Sequence, residues 1–108
     1  EAYGIRVEAG GRVLAYSGDT GPTDRLIDLA RGADLALFEA SFLESENNPI
    51  DLHLTAREAA EHAARAGADR LVLTHLVPWN DREATWDQAQ GRFPGEMALA
   101  TTGLRITL

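Results

Sequence analysis

Two short apolar runs on either side of an alanine-striped helical segment constrain the fold more than any other feature of this sequence. Residues 35–38 and 71–74 are almost continuously apolar, as expected of strands buried on both faces of a sheet. A strand, a helix and a second strand in this order predict an α/β fold with a largely parallel sheet. The stripe between the two runs has the spacing of one helix face and consists of Ala56, Ala59, Ala60, Ala63 and Ala64.

The two ends of this central helix carry local signals. Thr55 and Glu58 have the Thr-x-x-Glu spacing of a capping box. Gly67 follows the stripe and is expected to end the helix.

Three elements are predicted before the strand of residues 35–38. Residues 2–8 and 13–16, joined at Gly10-Gly11, have the pattern of a β-hairpin. A helix is expected from Thr23, with Gly32 in its C′ position.

Further segments are predicted around and after the central helix. A polar loop over residues 44–51 precedes it, and a helix over residues 81–90 follows the second apolar strand. Two short strands, near residues 97–100 and 104–107, complete the order ββαβαβαββ.

Composition excludes several classes of protein. The chain has 108 residues, enough for one domain, and a formal net charge of −7. It has no cysteine, which excludes disulfide scaffolds, thiolate zinc sites and cysteine nucleophiles. All 10 basic residues are arginines, so P-loop and Schiff-base lysines are excluded as well. The acidic balance argues against an electrostatic nucleic-acid stripe unless bound cations reverse the local field.

The start of the chain and its hydropathy lead to two expectations. No apolar run approaches the ~20 residues of a membrane helix, and no signal-peptide pattern opens the chain, so we expect no membrane contact and a cytoplasmic location. The chain begins at Glu1 rather than at a methionine, and its first strand has no preceding element. We therefore expect residues 1–108 to be a partial domain.

Ionisable side chains follow three of the predicted strands where each strand ends. Asp19 follows the second strand, Glu39 the third and His75 the fourth. Because parallel strands bring their carboxyl ends to one edge, where open α/β sheets bind ligands, we expect these side chains to converge. His53, in the loop before the central helix, would face the same edge.

These residue types suit metal-dependent hydrolysis. Asp19 is the candidate bridge between two zinc-like cations, and His75 is a candidate terminal ligand. His53 would protonate a leaving group or stabilise charge on a transferring phosphoryl group. Glu39 would accept a hydrogen bond from His53 and fix its tautomer. Because one aspartate and one histidine cannot hold two metals, the other ligands would come from outside this chain.

Each of these residues also has a structural alternative. Asp19 could instead cap the next helix, and Glu39 could be a solvated strand end. His75 could be a hydrogen-bonded structural histidine, and His53 an ordinary loop residue. His62 lies off the alanine stripe and is expected on the surface of the central helix, without a function.

Four segments in a fixed order carry a family resemblance. They are Ser17-Gly18-Asp19-Thr20, Phe38-Glu39-Ala40-Ser41-Phe42, His53-Leu54-Thr55-Ala56-Arg57-Glu58-Ala59 and Leu71-Val72-Leu73-Thr74-His75. In this order and spacing they resemble the C-terminal half of the metallo-β-lactamase-fold hydrolases, and within them the ribonuclease Z and phosphodiesterase-like branch.

The resemblance implies a four-layer αββα sandwich with a dinuclear metal site, usually of zinc, with manganese as the alternative. It implies that Asp19 bridges the metals, that His75 is a terminal ligand, and that His53, oriented by Glu39, assists phosphodiester cleavage. The implied substrate is a phosphodiester-containing small molecule or RNA. The family's first ligand cluster, His-x-His-x-Asp-His, has no counterpart here, so we expect the N-terminal half to be absent. That half, or a second copy of the chain, would cover the open face of the sheet.

One motif departs from the family pattern. The transfer-RNA-processing members usually have His-Glu-Ala-Thr where this chain has Phe38-Glu39-Ala40-Ser41. We take this difference to favour a broader phosphodiesterase-like hydrolase. Trp79, just beyond His75, would either stack on a base or pack at the sheet edge.

Other interpretations are weaker. Asp19-Thr20-Gly21 also spells the aspartic-protease triplet, but those enzymes are β-rich, which the alanine-striped helix contradicts. A phospho-receiver domain would need a lysine. The main alternative to a hydrolase is a catalytically inactive fragment, or a degenerate half-domain, that serves only as a structural and interaction module.

Overall fold

The computed structural model describes residues 4–43, 53–77 and 80–108. The predicted loop over residues 44–51, the start of the first predicted strand and Trp79 lie outside the described residues. None of the described helices has the length and apolar character needed to cross a membrane. The described elements, in chain order, are β1 (Ile5–Ala9), β2 (Arg12–Tyr16), α1 (Asp24–Leu29), β3 (Leu35–Glu39), α2 (Ala56–Ala66), β4 (Arg70–Thr74), α3 (Arg82–Ala89) and β5 (Glu96–Leu99).

The described strands form one sheet in the order β1-β2-β3-β4-β5. β1 and β2 pair antiparallel, and they are joined by Gly10 and Gly11, which both have positive φ. Each later strand pairs parallel with the strand before it. The α/β fold class and the hairpin are therefore confirmed.

One face of the sheet packs against the helices. Ala36 pairs with Leu71 and Phe38 with Leu73, so these side chains lie on the same face. They share one buried core with Leu26 of α1 and with the alanines of α2. Ala59, Ala60 and Ala63 are fully buried, because a stripe of small residues lets the helix approach the sheet closely.

The ends of α2 are those that the sequence encodes. The Thr55 hydroxyl accepts from the Glu58 backbone N–H at 3.1 Å, and the Glu58 carboxylate accepts from the Thr55 N–H at 2.9 Å. At the other end, Gly67 has a φ of 72°, which glycine adopts without strain. The capping box and the glycine stop are both confirmed.

The opposite face of the sheet is apolar and partly open. Ile5 pairs with Tyr16 and Val7 with Leu14 across the hairpin, which places these side chains on one face. Ile5, Val7 and Tyr16 are exposed over 53%, 47% and 37% of their surface.

The predicted strand over residues 104–107 is wrong. These residues form no strand, although the Thr107 carbonyl accepts from the Arg70 guanidinium at 2.8 Å. Gly103 turns the chain with a φ of 84°, and Leu104 and Ile106 then line a cavity beside Leu35 and Val72. The alternation of apolar and polar residues over 104–107 reflects this contact with the sheet face rather than pairing with β5.

The predicted C′ position of Gly32 is also wrong. α1 ends at Leu29 with Ala30 as its C-cap, so Gly32 lies one residue beyond C′. Its left-handed backbone instead turns the chain toward β3, and its N–H donates to the Ala66 carbonyl at 2.9 Å.

His62 is not on the helix surface, as was expected, but is 9% exposed. Its Nδ1 atom lies 2.8 Å from the Glu58 carbonyl, and its Nε2 atom accepts from the Thr23 N–H at 3.2 Å. The reason is that α1 packs on this side of α2, which the spacing of the alanine stripe does not reveal.

Candidate active site

Four ionisable side chains meet at the carboxyl edge of the sheet. Glu39 is the last residue of β3, His75 directly follows β4, and Asp19 lies in the loop after β2. With His53, they offer ligand atoms that all lie within 4.8 Å of one another. The structure thus brings together all four residues that the sequence singled out.

His53 reaches this edge because backbone hydrogen bonds hold its loop against the end of β3. The Phe42 N–H donates to the Leu54 carbonyl at 3.2 Å, and the Phe42 carbonyl accepts from the Ala56 N–H at 3.1 Å. The Phe42 ring also contacts the His53 imidazole edge-on, with centroids 5.0 Å apart. The first turn of α2 and the strand exit therefore fix His53 between them.

The Glu39 carboxylate is 1% exposed and fully bonded within the protein. Its Oε1 accepts from the Thr20 N–H at 2.6 Å, and its Oε2 accepts from the Ser41 hydroxyl at 2.7 Å. The Nδ1 atom of His53 lies 2.8 Å from Oε2 and 3.0 Å from Oε1. A buried carboxylate requires such partners, and the alternative of a solvated strand end is wrong.

The contact between His53 and Glu39 has a chemical consequence. A carboxylate only accepts hydrogen bonds, so Nδ1 carries the proton and donates it to Glu39. The Nε2 atom is then the ring nitrogen left for proton transfer, as in other carboxylate–histidine pairs. The side chain of His53 is 19% exposed, which keeps the ring within reach of a bound molecule.

Asp19 and His75 form a second, more open pair. The Asp19 Oδ1 lies 3.0 Å from the His75 Nδ1, and the two side chains are 60% and 45% exposed. Asp19 does not cap α1, because the Thr23 hydroxyl accepts from the Arg25 N–H at 3.3 Å instead. His75 has a φ of 54° and is, among the described residues, the one non-glycine residue with positive φ.

The donor atoms of this second pair fit a divalent cation. Carboxylate oxygen and imidazole nitrogen are typical zinc ligands. Glu39 belongs to the same cluster, but three groups of the protein already donate to its oxygens. Asp19 and His75 are thus the residues that would hold a metal, and two ligands are fewer than the four of a tetrahedral site.

Two contributors to the site were missed by the sequence analysis. Ser41 and the backbone of Thr20 both donate to the Glu39 carboxylate. Ser41 stands two residues after Glu39 in the motif that carried the family resemblance, and this was the available signal. The Thr20 contact depends on the path of a loop and had no sequence signal.

Phe38 changes the interpretation of the motif that departs from the family. Its side chain is fully buried in the core beneath the helices. The phenylalanine that stands in place of the motif's histidine is therefore a core residue that packs against the helices.

Comparison with known proteins identifies the family. A family model described as "Beta-lactamase superfamily domain" matches residues 1–76. The chain belongs to this superfamily. Its fold agrees with that of the metallo-beta-lactamase fold protein YhfI from Bacillus subtilis, with a TM-score of 0.87 and 29% identity over 94% of this chain and 42% of that one.

Individual relatives indicate which branch of the superfamily this chain resembles. The chain is 44% identical over 104 residues to an uncharacterized protein of Mycobacterium leprae, covering 95% of this chain and 37% of the relative. It is 41% identical over 98 residues to a ribonuclease Z of Haloarcula marismortui, covering 87% of this chain and 32% of the relative. The resemblance to the ribonuclease Z-like branch is confirmed, and the chain spans about a third of the length of these curated relatives.

Proposed function

We propose that this superfamily member supplies one side of the active site of a longer metal-dependent phosphodiesterase. The observation that carries the proposal is that the His53–Glu39 pair and the Asp19–His75 pair lie side by side, with their ligand atoms within 4.8 Å of one another. In this proposal, residues 1–108 are the C-terminal half of a domain, and the remaining metal ligands come from outside them.

The roles proposed for the residues combine their contacts with the family resemblance. Asp19 and His75 would hold the ions of a dinuclear centre, with Asp19 in the bridging role that the resemblance implies. Bound zinc or manganese ions would supply Lewis-acid chemistry and a nucleophile at neutral pH. His53, carrying a proton on Nε2 as well as on Nδ1, donates the Nε2 proton to the leaving oxygen when the P–O bond breaks. Water adds to phosphorus to give a monoester and releases one proton to solvent, from which His53 is protonated again. Glu39 keeps His53 in the required orientation and does not bind the substrate.

The proposed substrate is RNA or a small molecule that contains a phosphodiester. A ribonuclease Z among the relatives supports the phosphodiester bond. The net charge of −7 and the lack of lysine mean that an extended RNA backbone would find its basic contacts outside this chain. The open apolar face around Ile5, Val7 and Tyr16 supports pairing with the other half of the domain or with a second copy. A cytoplasmic location stays a prediction.

The test uses the full-length protein that contains this chain. Metal analysis is combined with hydrolysis of bis(p-nitrophenyl) phosphate and of an RNA with a 3′ extension. We expect stoichiometric zinc or manganese, and hydrolysis that stops on chelation and returns with the metal. His53→Ala should cut kcat while sparing metal content, because the ring is not a ligand in this proposal.

Two results would contradict the proposed function or the role of His53. A metal-free protein with no phosphodiesterase activity would support the alternative, in which the chain is an inactive structural and interaction module. Loss of metal in His53→Ala would mean that His53 is a ligand rather than the proton donor.

A further inference from the structure

We infer that Ser41 is a positioning residue. It keeps the cluster at the carboxyl edge of the sheet separated into the His53–Glu39 pair and the Asp19–His75 pair. It keeps the Glu39 carboxylate on His53 and leaves His75 to Asp19. The kinetic part of this inference rests on the proposed function, whereas the structural part does not.

The contacts of the Ser41 hydroxyl reach both pairs. It lies 2.7 Å from the Glu39 Oε2 and 3.1 Å from the main-chain carbonyl of His75. Ser41 and Glu39 are 3% and 1% exposed, so this hydrogen bond is shielded from bulk water. One hydroxyl proton is shared between the two acceptors, and the shorter contact is to the carboxylate.

The position of the carboxylate depends on donors at both oxygens. The Thr20 N–H holds Oε1 and the Ser41 hydroxyl holds Oε2, which sets the plane of the group and places both oxygens within 3.0 Å of the His53 Nδ1. A further nitrogen within reach is the His75 Nδ1, at 3.9 Å from Oε2. Without Ser41, Oε2 would lose a donor and turn toward His75, where it would compete with Asp19.

Ser41 also contributes to the backbone of His75. The Ala40 N–H donates to the Thr74 carbonyl at 2.9 Å, one residue before the contact between Ser41 and the His75 carbonyl. These two bonds continue the pairing of β3 with β4 past the ends of both strands. They fix the direction of the carbonyl of His75, whose left-handed backbone is unfavourable for a residue with a side chain.

The experiment compares three variants in the full-length protein. Ser41→Ala removes the hydroxyl, and Ser41→Thr restores it with the residue that the His-Glu-Ala-Thr motif holds there. Ser17→Ala is the matched control. Ser17 is also a buried serine, but its hydroxyl accepts from the Glu39 backbone N–H at 2.9 Å and does not touch the carboxylate.

The first readout is the imidazole NMR spectrum, which contains signals from 3 histidines in residues 1–108. The Nδ1 proton of His53 should exchange with water about tenfold faster in Ser41→Ala, because the carboxylate that protects it is no longer held. Ser41→Thr and Ser17→Ala should keep the slow exchange. An unchanged His53 signal in Ser41→Ala would overturn the inference, whatever the protein's activity.

The second readout is steady-state kinetics. Ser41→Ala should lower kcat about tenfold or more with little change in KM, and Ser41→Thr should recover most of it. Equal loss in Ser41→Ala and Ser41→Thr would contradict the positioning role. If the parent protein hydrolyses no phosphodiester, the proposed function fails, while the exchange experiment still decides the role of Ser41.

Discussion

The Nδ1 atom of His53 lies 2.8 Å from the Oε2 of Glu39, a carboxylate that is 1% exposed. The two residues come from different elements, the end of β3 and the loop before α2, so the contact exists only in the folded chain. Glu39 is buried, whereas His53 is partly exposed. The pair is therefore suited to hold one histidine tautomer beside a bound molecule.

Replacing the carboxylate should test this pair directly. In Glu39→Gln the amide has one acceptor oxygen for three donors, so His53 would lose its orienting contact. We expect kcat to fall about 100-fold, within the range of general acid–base catalysis, with metal content unchanged. Turnover and metal analysis of the same preparation provide the check.

A matched control for that substitution is Glu58→Gln. Glu58 belongs to the capping box of α2, where glutamine is equally suited. It should leave kcat unchanged. A similar loss in both variants would show that the effect of Glu39→Gln is general rather than specific to the pair.

Asp19→Asn should act on metal binding. Losing a ligand of the proposed centre should weaken zinc affinity by more than the about 10- to 100-fold that removing an outer-shell partner costs. Competition with a chelating dye measures this affinity. Asp28→Asn is the control, because Asp28 is 72% exposed and pairs with Arg31 on the surface. Wild-type affinity in Asp19→Asn would remove this residue from the proposed site.

The capping box should contribute measurably to stability. Thr55→Ala removes the acceptor for the Glu58 N–H and should lower the free energy of unfolding by about 1 kcal/mol. Thr55→Ser keeps the acceptor and should retain most of that free energy. Urea denaturation of both variants checks this, and equal destabilisation would show that the hydroxyl bond is not the cause.

The buried His62 should matter for stability but not for metal binding. In His62→Ala the Thr23 N–H loses its acceptor, which should cost about 1–3 kcal/mol of unfolding free energy. His62→Gln can restore an acceptor and should recover part of this loss. Metal content should be unchanged in both. If His62→Ala is as stable as the wild type, His62 would be an exposed residue of the helix surface, as the sequence analysis expected.

The candidate site was largely predictable from the positions of its residues in the chain. Glu39 ends β3, and Asp19 and His75 come after β2 and β4; these strands are parallel and end at a common edge. The contact of His53 with Glu39 was also predicted, and the structure shows it at 2.8 Å, whereas the contact of Ser41 was not predicted. The contact of Ser41 with Glu39 depends on side-chain orientation and on the exit path of β3, and neither has a periodic signal in the sequence.

The sequence by itself determined the hairpin, the capping box, the end of α2 at Gly67 and the buried strands β3 and β4, because these depend on hydrogen bonds and side-chain spacing within a few residues. The tertiary structure alone decided that His62 is buried, that Phe38 lies in the core away from the site, and that residues 104–107 contact the sheet without pairing. These outcomes depend on which surface packs against a segment, and that surface comes from residues distant in the chain.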